Sequence, residues 1–84
     1  MSAAADEAKK KLDDMAAAKD ELRELGNAFD GLVKGSQEWK EALIENNQKV
    51  LDLLNTYPQL AAYVEKGLHG ELTITDEGFE VMMN

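Results

Sequence analysis

Val33-Lys34-Gly35-Ser36-Gln37-Glu38-Trp39 holds the break that decides the fold. Glycine suits the left-handed residue beyond a helix end, and serine suits the N-cap of the next helix. Upstream, Ala8, Leu12, Met15, Ala18, Leu22, Leu25, Phe29, Leu32 and Val33 recur at steps of three and four, one stripe of a helix over about 3–33. Gly26 and Gly31 interrupt it, each costing up to about 1 kcal/mol against alanine, so the spacing predicts a weakened or kinked helix that keeps its phase, the alternative being a C-cap at Gly26 and a short second helix. Downstream, Trp39, Leu43, Ile44, Val50, Leu51, Leu53 and Leu54 define a second helix over 37–55, thinned in its middle by Asn46-Asn47-Gln48. A turn this short between two long helices implies an antiparallel hairpin.

Thr56-Tyr57-Pro58-Gln59 has the threonine and glutamine of a capping box with proline in the first turn. It predicts a short helix ending at Gly67. Gly70-Glu71-Leu72-Thr73-Ile74-Thr75 reads as a brief β alternation, and Thr75 or Asp76 can cap a last helix over 77–83. The expected class is therefore all-α with at most a minor strand pair: a hairpin over 1–55, then short C-terminal elements over 56–84 folded over its open end in the same domain. Phe29, Leu32, Trp39, Leu43, Val50, Leu54 and Tyr57 are the expected structural and interaction core.

A single small domain is all that 84 residues allow. Hydrophobic residues at 44% and charged residues at 31% give a globular balance. There is no cysteine for a disulfide, a thiolate nucleophile or a zinc-thiolate site. No apolar run reaches the roughly 18 residues of a membrane span, and Met1–Lys11 is too charged for the apolar core of a secretory signal. A cytoplasmic or virion-associated location fits those features. Net charge −8 argues against binding a phosphate backbone. The acid excess is steepest in residues 56–84, where Lys66 faces five carboxylates.

Chemistry is thin. His69, the one histidine, lies between Leu68 and Gly70 and reads as an exposed turn residue. No serine stands at a recognisable spacing from a histidine and an acid. Glu41 and Glu45 share a helix face, but paired carboxylates without histidine are a poor transition-metal set. Asp76-Glu77-Gly78 lacks the ligand run of a calcium loop, and the six glycines form no phosphate loop. The sequence points to a non-enzymatic protein with no catalytic residue, cofactor or metal, whose partners are proteins met by helix packing. The long first helix outruns the second, so its Ala-rich start is expected either to fray or to pair with another copy.

Phe29-Asp30-Gly31-Leu32-Val33-Lys34-Gly35-Ser36-Gln37-Glu38-Trp39, then Val50-Leu51-Asp52-Leu53-Leu54-Asn55-Thr56-Tyr57-Pro58-Gln59-Leu60, then Gly70-Glu71-Leu72-Thr73-Ile74-Thr75-Asp76-Glu77-Gly78 resembles a recurring helical segment of phage tail tape-measure proteins and related long, coiled-coil-rich chains. The resemblance spans roughly residues 20–80 and rests on caps and turns rather than chemical motifs. It implies a structural role: helices that pair with each other and with the tail tube, set tail length and leave during genome delivery. Such proteins run to many hundreds of residues, which implies that these 84 are a piece of one. The last helix agrees, since Phe79, Met82 and Met83 run on to Asn84 without a glycine or basic stop. The competing expectation is a small acidic helical binding protein, such as a phage-encoded inhibitor, an antitoxin or a nucleic-acid mimic.

Overall fold

The computed structural model describes residues 3–84, with side chains from residue 6 onward. Two helices, α1 (Ala3–Asp30) and α2 (Gln37–Thr56), form an antiparallel hairpin. A 3₁₀ turn (Pro58–Tyr63), strands β1 (Val64–Lys66) and β2 (Leu72–Ile74) and helix α3 (Asp76–Met83) follow. The architecture is mostly α with one two-stranded antiparallel sheet, as the sequence predicts.

The joint between the helices follows the sequence reading closely. Gly35 takes φ +83°, in the left-handed region that glycine enters without strain. Ser36 then caps α2, its hydroxyl accepting from the Trp39 amide at 3.2 Å. α1 runs unbroken through Gly26 but stops at Asp30, three residues short of the expected end. The Gly31 amide is shared between the Asn27 and Ala28 carbonyls at 3.3 Å each, the bifurcated bonding common where a helix unwinds. Leu32 and Val33 therefore lie in the connection and are exposed.

Two C-terminal expectations need correction. Thr56 does not cap a new helix: it is the last residue of α2, and its hydroxyl donates back to the Asp52 carbonyl at 3.2 Å. The helix expected to reach Gly67 closes instead as a 3₁₀ turn at Tyr63, and Val64–Lys66 becomes a strand. Val64 pairs with Ile74, Glu65 with Thr73 and Lys66 with Leu72. β-branched Val64 and Ile74 face each other at one end of that register, with Thr73 beside them, and such residues favour extended backbone. The Thr75 amide donates to the Tyr63 carbonyl at 3.0 Å and extends the pairing. Thr75 then caps α3 through the Gly78 amide.

The core lies toward the open end of the helix pair. Met15 and Ala18 of α1 meet Val50 and Leu53 of α2, with Leu60, Ile74, Phe79 and Met82 closing over them. Gly78 is where α3 comes closest, since a Cβ there would stand 2.6 Å from the Tyr63 Cβ. The C-terminal elements do more than cover the open end. The β hairpin runs back along one side of the helix pair, and its loop reaches the interhelical corner.

Candidate interaction surfaces

Asn46 sits on the inward face of α2 with Val50 and Leu53, and is 6% exposed. A buried carboxamide must find partners or cost stability. Its Nδ2 donates to the Leu72 carbonyl at 2.9 Å and to the Asn47 Oδ1 at 3.1 Å. Asn47 completes the clamp: its Nδ2 donates to the Gly70 carbonyl and its Oδ1 accepts from the Leu72 amide, each at 2.9 Å. Two adjacent side chains thus hold the hairpin loop where Gly70 turns at φ +83°. From the sequence alone this pair reads only as a thinning of the apolar face. The missed signal was the phase of Asn46, four and seven residues before Val50 and Leu53.

At the interhelical corner Phe29 and Trp39 pack with ring centroids 5.2 Å apart and planes tilted by 30°. His69, exposed in the hairpin loop as expected, meets Trp39 edge-on at 5.4 Å. The loop is tightened from within: the Glu71 carboxylate accepts from the His69 amide at 3.2 Å and fills the space where a side chain on Gly67 would stand.

The seven residues expected to form one core are divided among separate places. Val50 is fully buried in the main cluster, and Leu54 and Tyr57 pack on its edge half-buried. Phe29 is buried but belongs to the aromatic corner, with Trp39 half-buried beside it. Leu43 is half-buried, and Leu32 is exposed because α1 ends before it. The Tyr57 hydroxyl donates to Asp14 at 3.5 Å, and burial, reinforced by that carboxylate, raises the phenol above its ordinary range.

Two concavities flank the helix pair. A cleft of about 300 Å³ lies between α1, β2 and α3, with the Lys19–Asp76 pair (3.6 Å) at its edge. No buried side-chain polar atom among the described residues lacks a hydrogen bond, and no three of His, Asp or Glu there converge as a metal set. On the other side a groove of about 520 Å³ runs between α1 and α2, with Leu25 and Ile44 as its apolar lining. At 100° per residue Ile44 points about 160° away from Asn46, so this face is opposite the one the β hairpin covers. Glu21, Glu41, Glu45 and Asp52 rim it, and its one cation, Lys49, is tied to Glu21 at 2.9 Å.

Among the described residues no helix is long and apolar enough to cross a membrane. Compared with known families, curated proteins and solved structures, the chain matches none.

Proposed function

We propose that this chain is a non-enzymatic helical interaction module that serves as a segment of a tape-measure-like structural protein of a phage tail. The observation that carries the reading is the overhang of α1. The molecule measures 51 × 21 × 18 Å, and from Asp6 to Asp14 only Lys11 is even half-buried. Ala8 and Leu12 continue the line of Met15 and Ala18 beyond the packed body, and Leu12 is 43% exposed. A long helix that carries its apolar stripe out of its own domain is built to meet another helix. The remaining elements make a stop that holds one end of that helix, which suits a repeating rod.

Peptide mass spectrometry of purified virions from the source organism tests this reading. The tryptic peptide Glu41–Lys49 is expected in the particles and depleted from them after genome ejection. Its confinement to particle-free cell extract would overturn the tail assignment. The acidic groove favours the second reading, a small acidic binding protein, and that result would favour it further.

A further inference from the structure

Among the described residues, nothing in the chain covers the side of the helix pair away from the β hairpin. Ile44 is 68% exposed and Leu51 50% exposed. Seven residues apart, they lie about 10 Å from each other on one line of α2. Leu25 of α1 forms the facing wall. A scattered exposed aliphatic residue carries no message, but here Ile44 lines a concavity with a charged rim, and Leu51 extends its line along α2 outside that concavity. From Glu41 to Asp52 the rim extends over about 17 Å, three turns of helix.

The rim decides what can lie there. Four carboxylates border the groove against one ammonium, and that ammonium is engaged by Glu21. Gln37 and Gln48 donate to Glu41 and Asp52 at 3.2 and 2.9 Å, which fixes two of the acids along α2 without neutralising them. A second copy of the chain, itself at net −8, would set acids against acids across a symmetric contact. We infer that the groove between α1 and α2 is a docking site for a basic amphipathic helix of another protein, with leucine-like side chains over Leu25 and Ile44 and lysine or arginine against Glu41, Glu45 and Asp52. The inference rests on reading the chain as a helix-pairing module, and is independent of any link to a phage tail. It follows the general mode in which anchors at heptad spacing enter a groove between helices.

The test is fluorescence anisotropy of the full chain with a labelled designed helix of about two heptads, leucine at the seam and lysine on both flanks. Its counterpart with glutamate for every lysine serves as the charge control. The lysine helix should bind and weaken as salt rises, and the glutamate helix should not bind. Ile44→Asp, at an exposed position, and the pair Glu41→Lys/Glu45→Lys should each weaken binding by about tenfold or more. The pair Glu65→Lys/Glu80→Lys makes the same charge change at exposed positions on β1 and α3, and should cost less than about threefold. Circular dichroism confirms that each variant is folded. Equal losses from the groove pair and the remote pair would reduce the effect to net charge and overturn the site. Undiminished binding by Ile44→Asp would do the same. Sedimentation gives the remaining outcome: a dimer of the parent chain that Ile44→Asp converts to monomer makes the occupant a second copy and rejects the basic partner. None of these results bears on whether Glu41–Lys49 is found in virions, so the two readings fail separately.

Discussion

Asn47 accepts a 2.9 Å hydrogen bond from the Leu72 amide and so joins the middle of α2 to the first residue of β2, 25 positions downstream. A two-stranded hairpin of three residues a side is marginal on its own in water. Its place in this fold depends on being bonded to a helix that is already formed.

Removing that support should therefore be costly. Asn46→Ala strips the Leu72 carbonyl of its side-chain donor, and Asn47→Ala strips both the Gly70 carbonyl and the Leu72 amide. Each should lower stability by about 1–3 kcal/mol in urea unfolding. The double variant should lose less than the sum, since the two side chains bond each other and share one loop. Parent-like midpoints would contradict the clamp.

Two glycines should respond with opposite sign. Gly26 lies inside α1 with nothing within 4 Å of an added Cβ, so Gly26→Ala should stabilise by about 0.5–1 kcal/mol. Gly78→Ala drives a Cβ against the Tyr63 side chain and the Ile74 Cγ2, and should destabilise by about 1–3 kcal/mol. Thermal melts of the two variants should fall on either side of the parent.

The largest single truncation should not be at the tryptophan. Leu60 is fully buried at the centre of the main cluster, and Leu60→Ala should cost about 2–5 kcal/mol. Trp39 is half-buried, and its specific contacts are two rings, each worth about 0.5–1.5 kcal/mol beyond area. Trp39→Ala should therefore be the milder of the two in denaturant unfolding. The reverse order would mean that the corner, not the open end, organises the fold.

Tyr57 supplies an alkaline signature. Burial and Asp14 favour the neutral phenol, so the folded protein holds its proton to higher pH than the unfolded chain does. The resulting stability is fully present below the unfolded value of about 10 and declines as pH rises past it. Tyr57→Phe should flatten that decline, and Asp14→Asn should move the phenol, followed by its ultraviolet absorbance, back toward the ordinary range.

The parts of the fold readable in the sequence were those fixed by local rules. Apolar spacing located α1 and α2, Gly35 and Ser36 placed their joint, and Thr75-Asp76 placed the start of α3 to within a residue. What escaped was decided at long range. Nothing near Val64 forbids one more helical turn; it becomes a strand because Ile74 pairs with it and Asn46 and Asn47 hold the loop between them. The same applies to the surfaces. Glu41 and Glu45 were recognised as sharing a face, but their meaning depends on Leu25 lying across the groove, which no spacing along α2 reveals.

The overhang of α1 gives one continuous helix two thermodynamic regimes. Met15 is the first buried side chain among those described in α1, so the backbone from Met15 onward is held by the packed body. The turns before it rely on intrinsic propensity, and helices shorter than about 12–15 residues are marginal in water. Amide exchange should thus slow step by step toward Met15, not switch at a boundary. Trp39 emission reports only the far corner, whereas the far-ultraviolet helical signal also sums the leading turns. On heating, the helical signal will begin to fall before the fluorescence does. Non-coincident curves are ordinarily taken as the mark of a folding intermediate. In this molecule they would measure the unzipping of a single helix from its open end.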